Sequence, residues 1–240
     1  MFIVWVLDNF YAKKIIQKFI IQNSLFLMSI ADIRTQYCQK SLLEAEVSSN
    51  AIDQFQQWWD EALLAALTEV NAMTLATASA DGTPDARIVL LKGFSGEGFT
   101  FFTNYESAKG QQLAANPRAC LLFFWKELER QVRVSGTVSK ISKEESEQYF
   151  FSRPVGSQIG AWASQQSRVL QNREELEKKL DTVLAEMEEG KKIEKPDYWG
   201  GYLVKPYSIE FWQGRPNRLH DRLLYTLQDD NSWRIERLAP

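Results

Sequence analysis

Residues 73–103 read M-T-L-A-T-A-S-A-D-G-T-P-D-A-R-I-V-L-L-K-G-F-S-G-E-G-F-T-F-F-T, and this stretch decides the fold. It contains three β-prone runs, which are Met73–Ser79, Arg87–Phe94 and Phe99–Thr103. The segments between them carry Asp-Gly and Gly-Glu-Gly, residues that are typical of tight hairpin turns. The stretch therefore predicts three antiparallel strands joined as a meander.

Further β-prone runs follow the meander. They are Ala119–Trp125, Gln131–Ser139, Gly201–Val204, Ser208–Gln213, Arg218–Leu227 and Ser232–Leu238. Short strands at close spacing are typical of an antiparallel barrel or sandwich. Residues 142–190 and a segment capped by Asn50 have helical spacing instead. The apolar face of that capped segment consists of Phe55, Trp58, Trp59, Ala62, Leu63, Ala66 and Leu67. We therefore predict an α+β fold, mainly β, with a barrel core and surrounding helices.

The composition excludes several classes of protein. Hydrophobic residues make up 45% of the chain, which is enough for a full core and excludes a disordered protein. The formal net charge is −3, so no overall positive field would attract nucleic acid. One histidine and two distant cysteines, Cys38 and Cys120, leave little material for a zinc site or a disulfide framework. We expect a cytoplasmic protein without a bound metal.

The first 27 residues differ from the rest of the chain. Charged residues interrupt their apolar runs, so no stretch reaches the roughly 18–20 apolar residues of a membrane span. The positive charges follow the first apolar run, whereas a signal peptide carries them before it. Met28 then opens a segment of ordinary globular character. We expect residues 1–27 to be a dispensable leader, with a membrane-surface helix as the alternative, and residues 28–240 to form one domain.

The chain's only histidine lies in Arg218-Leu219-His220-Asp221-Arg222. If this segment is an extended strand, Arg218, His220 and Arg222 share one face, because side chains alternate along a strand. Cations so close together repel one another unless an anion such as a phosphate lies between them. A solvated strand with acidic partners elsewhere is the alternative. Two further anion candidates are the strand Arg87–Lys92, with a cation at each end, and Ser107-Ala108-Lys109-Gly110 at a helix start.

Spacing and composition do not identify a reaction. The chain has no G-x-S-x-G, Walker or H-E-x-x-H motif, and no G-x-G-x-x-G fingerprint of a Rossmann site. A Ser-His-Asp triad would need His220, and no serine stands out as its partner. The residues by themselves therefore support an anion site in a β-barrel protein and nothing more specific.

A longer motif carries a family resemblance. Residues 209–222, I-E-F-W-Q-x4-R-L-H-D-R, resemble the C-terminal signature of the pyridoxine (pyridoxamine) 5′-phosphate oxidases. Other segments agree in the same order, namely R-I-V-L-L-K, F-F-T-N, S-x-K-G, E-R-Q-V, Y-F-x-S-R-P, S-Q-I-G-A-W, Q-S and the terminal R-L-A-P. The resemblance extends from about Ile30 to Pro240 and leaves out the first 27 residues.

The resemblance implies an FMN-binding split β-barrel and a homodimer with FMN at the subunit interface. It implies oxidation of pyridoxine or pyridoxamine 5′-phosphate to pyridoxal 5′-phosphate by O2, with release of H2O2. The implied FMN contacts are Arg87, Ile88, Val89, Leu90, Leu91, Lys92, Phe102, Thr103, Lys109, Gln131, Gln166, Ser167, Trp212 and Arg222. The implied substrate contacts are Arg34, Tyr37, Lys92, Tyr149, Arg153, Ser157, Arg218, Leu219 and His220, with Arg218 and His220 beside the reacting carbon.

One residue departs from the family pattern. Members of the family commonly carry Arg where this chain has Ala108, and that Arg helps to hold the FMN phosphate. Its loss should weaken FMN binding by about 1–3 kcal/mol, the contribution of one hydrogen bond to a charged group. We therefore expect a flavin that dissociates more readily on dilution.

Three other functions remain as alternatives. A split-barrel flavin reductase without vitamin B6 activity should lack the pair Arg218 and His220 and the set Tyr149, Arg153 and Ser157, whereas this chain has both. A non-catalytic pyridoxal phosphate carrier has no need of the FMN positions. A nucleic-acid-binding barrel is disfavoured by the net charge of the chain.

Overall fold

The computed structural model describes residues 30–33 and 36–240. The predicted leader and Arg34 therefore lie outside the described residues. The chain divides into two units between Tyr37 and Cys38, and the second unit, Cys38–Pro240, contains every described strand. In the first unit, Ile30–Asp32 form a single 3₁₀ turn. None of the described helices is long and apolar enough to cross a membrane.

The second unit is built on one antiparallel sheet of nine strands. These are β1 (Ala72–Ala78), β2 (Pro84–Leu90), β3 (Gly93–Ser95), β4 (Gly98–Asn104), β5 (Arg118–Trp125), β6 (Arg130–Lys140), β7 (Trp199–Gln213), β8 (Asp221–Leu227) and β9 (Trp233–Arg237). The main path runs in the order β2-β1-β5-β6-β7-β4-β3, and β8 and β9 extend from β7. The fold is the predicted class, a curled, mainly β split barrel with surrounding helices.

The predicted meander is wrong. β1 and β2 form one hairpin and β3 and β4 another, and the two hairpins lie at opposite ends of the strand path. The predicted strand Arg87–Phe94 breaks after Leu90, where Leu91 turns inward and is buried. A single backbone bond, from Lys92 N–H to the Thr100 carbonyl, links the two hairpins there at 2.9 Å. Local turn residues predict both hairpins, but they do not predict the strands next to which each hairpin lies in the sheet.

Five α-helices of residues 38–240 surround the sheet. They are α1 (Ala51–Leu64), α2 (Ala108–Ala115), α3 (Lys143–Ser152), α4 (Val155–Ala163) and α5 (Arg173–Glu188). Asn50 caps α1 as predicted, because its side chain accepts from the N–H groups of Ile52 and Asp53. Phe55, Trp58 and Ala62 are buried, but Leu63 is exposed, and Ala66 and Leu67 lie beyond the end of the helix. The predicted apolar face was therefore too long, because α1 ends before Ala66, whose φ is +51°.

The barrel core is rich in aromatic rings. Phe55 from α1 meets Phe99 edge to face, with ring centroids 4.9 Å apart, and lies 5.2 Å from Phe123. All three rings are fully buried. Burial of such side chains contributes about 1.5–3 kcal/mol each. This core fixes the position of the strands whose ends carry the site described below.

β7 is the longest strand and joins two parts of the sheet. Its first half pairs with β4 and its second half with β8, while β6 runs along its other side. A register shift between Ser135 and Gly136 interrupts the β6–β7 ladder. Such irregularities bend a strand and increase its twist. The two ends of β7 therefore present side chains to different regions of the molecule.

The segment around the lone histidine is not the predicted strand. Pro216–Arg218 form a 3₁₀ turn, and β8 begins only at Asp221. Asn217 and Arg218 have φ values of +57° and +62°, a left-handed conformation incompatible with a strand. Alternation of side chains consequently does not place Arg218 and His220 on one face with Arg222. The sequence predicts a loop that ends at Asn217, whereas the turn in the structure extends through Arg218.

Candidate active site

A cavity of about 830 Å³ opens between β2, β4, α2, α3 and α4. Most of the predicted ligand contacts line it, namely Arg87, Ile88, Val89, Leu90, Lys92, Phe102, Thr103, Lys109, Tyr149, Arg153, Ser157 and Gln166. Segments far apart in sequence thus converge on one space. Four of these residues carry a permanent or titratable positive charge, so the cavity suits an anionic ligand.

Lys109 is a buried cation at the start of α2. Its Nζ donates to Ser107 Oγ at 3.3 Å and to Gln166 Oε1 at 3.2 Å, both neutral acceptors. Among the described residues, no carboxylate lies within ion-pair distance of Lys109. Burial, and secondarily the charge of Arg87, lower the pKa of Lys109. A buried ammonium without a counter-charge is costly unless a ligand supplies one.

The glycine of S-x-K-G has a steric role. A Cβ on Gly110 would lie 2.0 Å from the backbone oxygen of Tyr105, so only glycine allows this close approach. Ser107 caps α2, since its Oγ accepts from the Gly110 N–H at 3.4 Å. The first turn of α2 is thereby held against β4 with Lys109 at the cavity wall, where helix N–H groups favour an anion.

Arg87 is held by four acceptors. Its guanidinium donates to Thr77 Oγ1 at 2.5 Å, to the Leu75 carbonyl at 3.2 Å and to Gln112 Oε1 at 3.2 Å. It also forms an ion pair with Asp85, two residues earlier on β2. The side chain is therefore fixed at the cavity wall before any ligand binds.

A second cationic group lies where α3 meets α4. Arg153 stacks on Trp199, with its guanidinium carbon 4.6 Å from the ring centroid, and donates to the Ser157 carbonyl at 2.8 Å. Arg153 Nη1 is buried and makes no hydrogen bond to the described residues. Tyr149 stacks on Phe102 at 3.8 Å beside it. A buried guanidinium N–H that lacks an acceptor in the protein is able to donate a hydrogen bond to a ligand oxygen.

Four further predicted contacts form a second group outside this cavity. Gln131, Trp212 and Arg222 lie in register across β6, β7 and β8. His220 adjoins them, since its ring centroid is 4.6 Å from that of Trp212. None of these four residues, nor Arg218, lines the cavity. One chain therefore presents the predicted site as two separate groups of residues.

His220 has a defined orientation. Its Nδ1 accepts a hydrogen bond from the Arg215 N–H at 3.1 Å, so the neutral ring carries its proton on Nε2. Burial and the nearby charge of Arg218 lower the pKa of His220. Both effects favour the neutral imidazole over the charged one.

Arg222 is anchored by a residue that the sequence did not single out. Glu210 is 3% exposed and accepts from Arg222 Nε at 2.7 Å, and it also pairs with Arg133. Glu210 belongs to I-E-F-W-Q, but nothing in the motif indicated its partner, because the contact crosses two strands. Trp199 and Asn104 also line the cavity without having been predicted.

The other predicted residues lie in neither of the two groups. Leu91 is buried, whereas Leu219 and Ser167 are exposed, and none of the three lines the cavity. Tyr37 belongs to the first unit of the chain and is half-buried, and Arg34 lies outside the described residues. The roles of all five remain predictions.

The curled split barrel, with four cationic side chains lining one cavity, defines the class of the protein as a β-barrel with an anion-binding cavity. Comparison with known proteins narrows the class. Residues 59–186 match the family described as "Pyridoxamine 5′-phosphate oxidase", and residues 199–240 match the "Pyridoxine 5′-phosphate oxidase C-terminal dimerisation region". The chain belongs to the pyridoxine/pyridoxamine 5′-phosphate oxidase family, and it is an oxidoreductase.

Individual relatives agree with this assignment. The pyridoxine/pyridoxamine 5′-phosphate oxidase of Salinibacter ruber is 56% identical over 89% of this chain and 100% of its own length. That of Trichormus variabilis is 54% identical over 88% of this chain and 99% of its own. Among solved structures, PhzG from Burkholderia lata, in complex with tetrahydrophenazine-1-carboxylic acid, is similar with a TM-score of 0.77 and 30% identity, over 84% of this chain and 98% of PhzG.

Proposed function

We propose that the protein is an FMN-dependent oxidase that converts pyridoxine and pyridoxamine 5′-phosphates to pyridoxal 5′-phosphate in vitamin B6 biosynthesis and salvage. O2 is the electron acceptor, H2O2 is released, and the amine substrate also yields NH3. When bound, FMN supplies the redox chemistry between substrate and O2. The chain's own residues bind both phosphates, orient the two rings and exclude water.

The observation that carries the proposal is the positive charge of Lys109 and Arg153, which no carboxylate among the described residues pairs with. Lys109 is buried among neutral acceptors, and Arg153 has a buried N–H without a partner. FMN and the substrate are both phosphate esters of nearly two negative charges, so two dianions match these two centres. We assign Lys109, the first turn of α2 and Arg87 to the FMN phosphate. We assign Lys92, Tyr149, Arg153 and Ser157 to the substrate phosphate.

A complete site needs two chains. Trp199 lines the cavity at one end of β7, and Trp212 lies near the other end, roughly 40 Å away along an extended strand. We propose that Gln131, Trp212 and Arg222 of one subunit complete the cavity of its partner in a homodimer, with FMN at the interface.

The sheet has a suitable surface for that dimer. Register places Phe124 in one row with Gln131, Trp212 and Arg222 on the outer face of the sheet. On the same face, Phe124 is 55% exposed and Ile88 of the edge strand β2 is 66% exposed. Exposed apolar side chains on a sheet face and at a sheet edge are typical of surfaces that become buried in a protein–protein contact. A second copy would bury them and bring the two residue groups together, and residues 199–240 match the family's dimerisation region.

Arg218 and His220 are the proposed residues beside the reacting carbon. Both lie in the turn before β8, next to Trp212. Because His220 Nδ1 accepts from the Arg215 N–H, a neutral His220 ring carries its proton on Nε2 and acts there as a hydrogen-bond donor, while the Arg218 guanidinium stabilises negative charge. Arg34 and Tyr37 remain a proposed cover for the substrate. The single-domain organisation of residues 28–240 is likewise part of the proposal.

The test is spectroscopic and chemical. The purified protein should show the visible absorption of a bound flavin, and pyridoxine 5′-phosphate added in air should produce one H2O2 for each pyridoxal 5′-phosphate formed. A colourless protein that FMN cannot reconstitute would refute the proposal. A yellow protein that oxidises neither phosphate ester would instead favour the split-barrel reductase or a PhzG-like substrate, whose ring system is larger.

A further inference from the structure

Asp85 is an exposed acidic residue beside Arg87, one of the cations that line the cavity. It lies on β2, two residues before Arg87, and its carboxylate pairs with the Arg87 guanidinium. Gln112 on α2 bridges the two, since its Nε2 donates to Asp85 Oδ2 at 3.2 Å and its Oε1 accepts from Arg87 at 3.2 Å. The carboxylate therefore occupies one face of a cation that we assign to the FMN phosphate.

The charge of Asp85 also reaches Lys109. The negative charge of Asp85 opposes the effects of burial and of Arg87, which together lower the pKa of Lys109. Hydrogen bonding from Gln112, followed by the charge of Arg87, lowers the pKa of Asp85 itself. Asp85 is thus ionised at neutral pH; it pairs with Arg87 on β2, and its charge also acts on Lys109 at the start of α2.

Arg87 does not depend on Asp85 for its position. Without Asp85, its guanidinium would keep the acceptors Thr77 Oγ1, the Leu75 carbonyl and Gln112 Oε1. Removal of the Asp85 carboxylate would therefore leave the charge of Arg87 without a counter-charge, while the Arg87 side chain would keep its position. The effect of the carboxylate on an incoming dianion is repulsion, which decreases with distance and with salt.

We propose that Asp85 is an intramolecular competitor of the phosphate group and sets the affinity of this site for its anionic ligand. The inference rests on the proposed function insofar as FMN is that ligand. Asp85 neutralises Arg87 while the site is empty and lowers the affinity for the phosphate by competing for the same guanidinium. Together with Ala108, it makes this chain's phosphate site weaker than its number of cations implies.

The test compares Asp85→Asn with the unmodified full-length chain. Flavin-free protein is titrated with FMN, and quenching of FMN fluorescence reports the Kd. We expect Asp85→Asn to bind FMN about fivefold more tightly at low ionic strength, as one like charge several ångströms from a dianion would require at high effective dielectric. The advantage should shrink as salt is added. Asp85→Ser, which also removes the charge, should change the Kd in the same direction.

Asp81→Asn is the matched control. Asp81 lies on the same hairpin and loses the same charge, while Asn keeps the side-chain oxygen that accepts from the Thr83 N–H. Its Kd should equal that of the unmodified chain. An unchanged Kd in Asp85→Asn would overturn the inference. A higher Kd, that is weaker FMN binding, would also overturn it and would make Asp85 a positioning residue for Arg87.

A second probe separates this inference from the proposed function. Inorganic phosphate should raise the Tm of flavin-free Asp85→Asn more than that of the unmodified chain at the same concentration. If the unmodified chain binds no FMN but the phosphate shift is larger in Asp85→Asn, the proposed function fails and the inference stands. If FMN binds and neither FMN affinity nor the phosphate shift responds to Asp85→Asn, only the inference fails.

Discussion

Glu210→Gln tests how much the ion pairs of Glu210 with Arg133 and Arg222 stabilise the folded chain. The Glu210 carboxylate is almost completely buried and pairs with both Arg133 and Arg222. Removal of one member of a buried ion group costs about 3–5 kcal/mol, because its partners keep their charge without compensation. The side chains of Arg133 and Arg222 are 46% and 26% exposed, so water recovers part of that cost. We expect a loss of about 2–3 kcal/mol.

Thermal unfolding at fixed protein concentration measures this loss. For a chain of this size, 1 kcal/mol corresponds to about 2–4 °C in Tm, so Glu210→Gln should unfold roughly 4–12 °C earlier. Glu236→Gln is the control, since Glu236 pairs with Arg234 at an exposed site and should change stability by less than about 0.5 kcal/mol. A Glu210→Gln variant that melts with the unmodified chain would refute the assignment of a buried ion group. FMN affinity should also fall, because Arg222 would lose its anchor.

Three further outcomes are expected. Ala108→Arg should tighten FMN binding by about 1–3 kcal/mol in a fluorescence titration, and a variant that binds no more tightly would show that Ala108 is not a deficiency. Lys109→Met should raise the Tm of the flavin-free chain while weakening FMN binding, because it removes a buried charge whose counter-charge is the ligand; a variant that loses both stability and affinity would contradict this account. The pKa of His220 lies below its usual value of about 6.5, so its contribution to stability is present above that pH and is lost as the pH falls through the lowered value. The acid limb of kcat/KM should follow the same titration, and Arg218→Gln should move that limb to higher pH by removing a repulsive charge; a limb that stays in place would exclude His220 as its origin.

Local features of the fold were predictable from the sequence. The strands β1, β5 and β6 follow from runs of apolar residues between turns, and Asn50 and Ser142 cap their helices as short-range patterns require. The order of strands was not predictable from such patterns, because it depends on pairings between residues far apart in sequence. For the same reason β2 and β4 were placed in one meander although they lie at opposite ends of the path.

The site shows the same limit. The family resemblance implied ligand contacts for Arg87, Lys109 and Arg153, and all three line one cavity, but their roles remain predictions. It gave no sign that Arg222 depends on Glu210, or that Asp85 pairs with Arg87, since both are side-chain contacts set by register. The left-handed backbone at Arg218 was also missed, because strand alternation was applied across a turn.

The central claim is that each active site combines residues of two chains. Two variants test it most directly, Arg153→Ala in the cavity and His220→Ala in the second group, each inactive alone. Co-expressed, they should form hybrid dimers in which one of the two sites is intact, and peroxide production from pyridoxine 5′-phosphate should recover to about a quarter of the unmodified level. Hybrid dimers that form but remain as inactive as either variant would show that both groups act within one chain and would contradict the account.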